Sequence, residues 1–331
     1  MARSYDAAKS SQNRRPVRLR RDKWGRTTLV AGKMHRMPEH NVSRREFVAA
    51  LGALASFPIS IADAQTGSLL PLHTPKVDHF DVIVPNVEAS ARFYMGVFNT
   101  KLHAQPFQGG FRYFVLLGTL PENRQVGYLA IGDSRGRGTY IGHFCTSVFD
   151  YRRDSAAIMT SLAEAVDKAG LGKIGGGGGV AGIFSDPDGI EIQFLPAPDT
   201  LVTAAVPSDL VEPNKGLVTP LGVDHVLLHV ADLEKGVQFY RILYGKEAVR
   251  QNTPPRVWFQ IGDTRLGLEQ APAGTKPRIA HFAVKVAAFD RTAVAAALTK
   301  LGATVSASPD EQPRVLRFRD PDGITVEITS P

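Results

Sequence analysis

Histidines recur at corresponding places in segments that the chain repeats. Val77-Asp78-His79-Phe80 returns as Val223-Asp224-His225-Val226, and Ile141-Gly142-His143-Phe144 returns as Ile279-Ala280-His281-Phe282. A third segment, FSDPDGIEIQF over 184–194, returns as FRDPDGITVEI over 318–328. Four residues after its glycines, Gly189 and Gly323, stand Gln193 in the first copy and Glu327 in the second. Imidazole titrates nearest to neutral pH and is the commonest metal ligand, so such residues suit proton transfer or metal binding. A histidine at a strand start can equally be a satisfied core residue. His229 lies four residues beyond His225, a whole number of strand alternations, and so faces the same side. It suits acid–base work or contact with a substrate. The single cysteine, Cys145, sits in an apolar GHFCTSV stretch that reads as a buried strand, better fitted to an inert thiol than to a nucleophile.

The elements that must position these residues follow from local patterns. In each Asp-Pro-Asp-Gly, proline presets φ and glycine supplies a positive φ, so a tight turn feeds a strand. The VDH segments are strands by their β-branched content. Each leads to a helix, capped by Asn86 ahead of Phe93-Tyr94 and by Asp232 ahead of Phe239-Tyr240. Further strands are predicted over 111–118 and 126–131, matched by 256–262 and 265–269. Helices over 154–169 and 290–301 then follow the second histidine strand, each ending near a glycine, Gly170 or Gly302. The order is βαβββ twice per copy. The copies span 77–196 and 222–331, joined by a linker over 197–221 and preceded by an arm over 65–76.

The chain has 331 residues and a net charge of +7, but residues 1–45 alone carry +10, leaving −3 for the remainder. The basicity belongs to the N-terminal segment, so a nucleic-acid-binding face on the folded body is not expected. One cysteine excludes an internal disulfide framework. Ser43-Arg44-Arg45-Glu46-Phe47, the apolar run 48–61 and Ala62-Asp63-Ala64 have the order of an export signal. They resemble a twin-arginine signal over 37–64, which implies the twin-arginine export machinery as a partner. The expectations are cleavage after Ala64, a periplasmic or secreted product and no permanent membrane span, since the apolar run is short. Residues 1–36 read as a basic, disordered extension. The five glycines at 175–179 are followed by neither a Lys-Ser/Thr pair nor a helix pattern, and so make no phosphate loop.

The two DH strands, the two HF strands and the two DPDG hairpins, recurring in order, resemble the vicinal oxygen chelate superfamily. That superfamily includes glyoxalase I, extradiol ring-cleaving dioxygenases, and fosfomycin- and bleomycin-resistance proteins. The resemblance implies an α+β fold of two tandem domains, each a pair of βαβββ units forming a curved mixed sheet around a site. It also implies that metal ligands come from the first strand of each half and the last strand of the second half. Carried over, these are His225, His281 and Glu327, with Glu269 near the additional carboxylate position of glyoxalase-type sites. In the first copy the same positions hold His79, His143 and Gln193. A neutral carboxamide there implies a weaker or absent metal, unless Glu191 or Asp81 compensates. Two imidazoles and a carboxylate suit Fe(II) or Mn(II); a second carboxylate would also suit Zn(II) or Ni(II).

The function implied is a metal-dependent enzyme acting on a small molecule with vicinal oxygens, as dioxygenase or as glyoxalase-like lyase or isomerase. The competing reading is a non-catalytic periplasmic protein that binds a small molecule, like the bleomycin-resistance members. A monomeric pseudo-dimer or a homo-oligomer is compatible with either.

Overall fold

In a computed structural model of the chain, the described residues are 69–107, 110–118, 127–176, 182–197, 216–306 and 314–331, with the backbone of two strands nearer the N-terminus. The chain divides into two units, Met1–Thr66 and Gly67–Pro331. In the first unit, β1 (Val17–Arg21) pairs antiparallel with β2 (Thr27–Ala31). These strands fall within residues 1–36, which were expected to lack structure. The export signal expected over 37–64 lies outside the described residues. No helix among the described residues is long and apolar enough to cross a membrane.

The second unit contains two eight-stranded mixed sheets of the same topology. The first is built from β3 (Lys76–Val84), α1 (Val87–Val97), β4 (Leu102–Phe107), β5 (Gly110–Leu117) and β6 (Gly127–Asp133). β7 (Tyr140–Phe149), α2 (Tyr151–Lys168), β8 (Gly175–Gly176), β9 (Ile183–Ser185) and β10 (Glu191–Ala197) complete it. The second sheet runs β11 (Pro220–Val230), α3 (Leu233–Tyr244), β12 (Val249–Asn252), β13 (Pro255–Ile261) and β14 (Thr264–Gln270). Then come β15 (Arg278–Val286), α4 (Arg291–Lys300), β16 (Thr304–Val305), β17 (Val315–Arg319) and β18 (Thr325–Thr329). In each sheet the two histidine strands are antiparallel neighbours at the centre, β3 with β7 and β11 with β15. The strand after the DPDG turn lies parallel beside the second of them. The fold is therefore α+β, with two βαβββ modules in each copy.

The local signals act as read, with one shift. The Asn86 side chain accepts the Ala89 N–H, and Asp232 accepts that of Lys235, each meeting a donor that the first helical turn leaves unpaired. Gly189 and Gly323 adopt φ of 83° and 91°, as the turns require. Helix α2, expected from 154, begins at Tyr151, directly after Asp150 in the left-handed region at φ 60°. The aromatic Tyr151 is fully buried and belongs to the helix rather than to the preceding strand.

The two copies exchange their leading arms. Leu72 N–H donates to Leu243 O at the end of α3, while Val218 N–H donates to Val97 O at the end of α1. Phe80 stacks on Phe282 across the interface, ring centroids 4.8 Å apart. These rings follow His79 and His281 in sequence. Strand alternation therefore sends each histidine to one face of its sheet and the neighbouring phenylalanine to the other.

Candidate metal centre

In the second copy, β11, β15 and β18 bring His225, His281 and Glu327 together. All three are buried, and their ligand atoms lie within 4.8 Å of one another. The two Nε2 atoms are 3.0 Å apart, with Glu327 Oε1 3.7 Å from His225 Nε2 and Oε2 3.9 Å from His281 Nε2. A divalent ion takes imidazole nitrogen and carboxylate oxygen at about 2.0–2.2 Å, so one ion between these donors fits their spacing.

The surrounding groups orient the donors. His225 Nδ1 lies 2.6 Å from Asp224 Oδ2, which also accepts from Arg265 Nη2 at 2.6 Å. Burial alone would raise the Asp224 pKa, but its bonds to His225 and Arg265 prevail and hold it at about 2. An ionised carboxylate only accepts, so Nδ1 carries the proton and Nε2 presents its lone pair to the centre. Glu327 Oε2 accepts from Arg317 Nη2 at 2.7 Å, which leaves Oε1 for an ion. Burial, then the neighbouring positive charges, pushes His281 well below the ordinary histidine pKa, so it offers a neutral imidazole. Two imidazoles and a single carboxylate form a donor set suited to a hard or borderline divalent metal.

The same sheet face carries an aromatic and charged wall. The Trp258 indole lies beside Gly267, where a Cβ would come within 2.7 Å of Trp258 Cζ3 and of Leu227 Cδ1. Arg256 and Arg265 lie over its ring at 5.6 and 5.1 Å, and His225 meets it edge-on at 5.1 Å.

Glu269 does not join the cluster. The parallel register sets His225 opposite Arg265 and His229 opposite Glu269, four residues or about 13 Å further along. There Glu269 is paired with Arg256, at 2.5 and 3.0 Å. The resemblance placed Glu269 near the additional carboxylate position, and the observed register sets it further along the strand. His229 stands with Glu269 at that far end. Burial lowers its pKa, against the pull of Glu269, and its Nδ1 is buried without a hydrogen-bond partner. It stays within electrostatic reach of His281 and is not one of the three clustered donors.

In the first copy His79, His143 and Gln193 also converge. His143 Nε2 is 3.4 Å from His79 Nε2 and 3.1 Å from Gln193 Oε1. Asp78 lies 3.0 Å from His79 Nδ1 and is fixed by Ser147 Oγ at 2.9 Å. Asp81 does not supply the missing ligand. It lies 3.4 Å from His143 Nδ1, the ring nitrogen turned away from the centre, and pairs with Arg112 at 2.5 Å. Nor does Glu191 replace Gln193, because β10 pairs with β7 without a slip, Glu191 opposite His143 and Gln193 opposite Cys145. Glu191 is instead exposed, in a notch of about 560 Å³ between the copies that also includes Arg278, Arg319 and Thr325 but none of the clustered histidines. The residue paired with Gln193 is Ile183, where the second copy pairs Arg317 with Glu327. The first centre thus lacks both the carboxylate and the arginine that holds it.

Two functional-looking tyrosines carried no assigned role in the sequence. Tyr94 on α1 and Tyr240 on α3 are fully buried, and each reaches the DPDG turn of the opposite copy. Their spacing within the repeats was visible; their partners, across the interface, were not.

Comparison with known families and structures agrees with this architecture. A family model described as Glyoxalase/Bleomycin resistance protein/Dioxygenase superfamily matches residues 76–194, and one described as Glyoxalase-like domain matches 225–329. Among solved structures, the 2,3-dioxygenase LapB from Pseudomonas sp. KL28 is similar at TM-score 0.57 and 16% identity, over 79% of this chain and 93% of that one. The Mn(II)-bound glyoxalase from Novosphingobium aromaticivorans gives 0.55 and 16%, over 78% and 83%. Homoprotocatechuate 2,3-dioxygenase from Arthrobacter globiformis gives 0.53 and 17%, over 78% and 81%. At these identities the likeness is one of fold.

Proposed function

The chain belongs to the vicinal oxygen chelate superfamily, with two glyoxalase-like domains in tandem, and from that premise we propose that it is an exported, metal-dependent, ring-cleaving dioxygenase whose second copy carries the chemistry. The observation that carries the reading is the buried His225, His281 and Glu327 cluster, with Glu269 drawn away to Arg256. Two histidines and one carboxylate leave several positions of an Fe(II) ion open, as non-haem iron oxygenases require. The lyase reading rested on a fourth protein ligand, and Glu269 does not occupy that place. A divalent ion here would hold two vicinal oxygens and stabilise negative charge developing on them.

The chain's own residues do the rest. Asp224 keeps His225 in the tautomer that offers Nε2, and Arg317 keeps Glu327 turned so that Oε1 faces inward. Around the centre, Arg256, Arg265 and Arg317 are each balanced by Glu269, Asp224 and Glu327. The excess charge of a loaded cup is therefore the metal's own, which favours a substrate that binds as an anion, such as a catechol. His229, together with Arg256, meets its distal side. Export through the twin-arginine route would carry the protein already folded.

The test is anaerobic reconstitution with Fe(II), followed by oxygen uptake on catechols. Stoichiometric iron that is lost in Glu327→Ala, together with uptake, supports the dioxygenase. Protein with no stoichiometric metal, whose small-molecule binding survives His225→Ala, would instead support the non-catalytic binding protein.

A further inference from the structure

The DPDG turns are shared property of the two copies. Asp186 of the first turn accepts the Ile190 N–H through Oδ1, at 2.8 Å, and Tyr240 Oη through Oδ2, at 2.8 Å. Asp320 of the second turn accepts the Ile324 N–H at 2.7 Å and Tyr94 Oη at 2.7 Å in the same way. Each aspartate joins its own turn to a helix of the other copy. The arrangement is not symmetric in its second bond. Asp322 accepts Ser90 Oγ at 2.5 Å, one helical turn before Tyr94 and on the same face of α1. The position corresponding to Ser90 on α3 is Gly236, which has no side chain to offer. Asp188 accepts a backbone N–H there, from Ala231 at 2.8 Å. The turn held by two side chains is the one that leads into β18. Ile324, whose amide Asp320 fixes, is three residues ahead of Glu327.

We propose that the first copy is a positioning part of the second copy's metal centre, with Tyr94 and Ser90 of α1 fixing the Asp320–Gly323 turn and, through it, the aim of Glu327. This rests on the metal reading of His225, His281 and Glu327. The division of labour follows from the contacts. The first copy has lost a charged donor at its own centre but supplies the groups that hold the strand carrying that donor in the second. Tyr94 and Ser90 are positioning residues, since they reach the centre only through the turn and the strand.

The pseudo-symmetry supplies a matched control. Tyr94→Phe and Tyr240→Phe each delete one buried hydroxyl bonded to a DPDG aspartate, so a purely structural role predicts the same loss of thermal stability and no difference at the metal. The experiment titrates Co(II) into the apo full-length protein and follows its visible absorption bands, with Glu327→Ala as the reference for loss of the centre. The expected result for Tyr94→Phe is Co(II) affinity lower by about tenfold, the low end of what loss of an outer-shell partner costs, with altered bands. Ser90→Ala is expected to shift in the same direction. Tyr240→Phe is expected to stay within about twofold of wild type while losing comparable stability. Equal effects of the two tyrosine variants on affinity and spectrum, or no effect of Tyr94→Phe, would overturn the proposal. If wild type binds no more Co(II) than Glu327→Ala, the metal reading itself has failed. Amide exchange over 324–328 then decides the positioning claim: faster in Tyr94→Phe than in Tyr240→Phe upholds it, and equal rates overturn it.

Discussion

Glu327→Gln gives the second centre the donor types of the first, yet it should not behave like the first. The charge of one ligand is lost. Removing a group that merely orients a ligand weakens metal binding by 10- to 100-fold, so losing the charge of a direct ligand should cost at least about 100-fold, or about 2.7 kcal/mol. A second term comes from Arg317, whose Nη2 donates to Glu327 Oε2 at 2.7 Å. A carboxamide has one oxygen and one NH2. Facing a guanidinium, it turns its oxygen to Arg317 and its NH2 to the metal. In the first copy the neighbour is Ile183, and Gln193 keeps its oxygen toward His143 at 3.1 Å. Replacing the arginine as well, in Glu327→Gln/Arg317→Ile, frees the amide to turn. A hydrogen bond to a charged group is worth about 1.5–3 kcal/mol, so the double variant should bind metal about tenfold more tightly than Glu327→Gln alone. Competition with a chromophoric chelator measures both. A double variant that binds no better than the single would refute the reasoning, because it would mean that Arg317 does not decide which atom of residue 327 faces the centre.

Other outcomes follow from the same geometry. Asp224→Asn removes the acceptor that fixes the His225 tautomer and should lower metal affinity by about 10- to 100-fold, read by the same competition. Gly267→Ala places a methyl group 2.7 Å from the Trp258 ring and from Leu227, and should cost about 1–3 kcal/mol in denaturant unfolding, with a shifted indole fluorescence. Burial holds Asp186 up at about 6 despite the bonds from Ile190, Tyr240 and Asp188. The folded protein then binds this proton more tightly than the unfolded chain, so its contribution is present at low pH and lost as pH rises through about 6. Relative to Asp186→Asn, wild type should therefore gain about 2 kcal/mol between pH 7 and pH 4.5, measured by thermal unfolding in buffers across that range.

Much of the centre was legible because it is built from repeats. The VDH, HF and DPDG segments each occur twice, and the resemblance they carry named His225, His281 and Glu327. The resemblance named Glu269 and parity named the face of His229, and neither gives a distance along the strand. The register of β11 with β14 carries that information, and register is a tertiary property. The Ile183 and Arg317 difference was present in the aligned repeats. Its meaning depends on each residue being the cross-strand partner of position 193 or 327. The tyrosines were harder still. A buried Tyr hydroxyl must find a partner, but here the partner belongs to the other copy, and nothing local distinguishes a bond within a copy from one across the interface.

The exchange of leading arms has a consequence for the covalent chain. Leu72 is fastened to α3 and the Val77 amide to Thr264 Oγ1 at 2.7 Å, both by groups outside the 197–221 segment that joins the domains. Once assembled, the halves are held by their own surfaces. A protease nick in the joining segment should therefore leave two fragments that migrate as one particle under native conditions and separate only in denaturant.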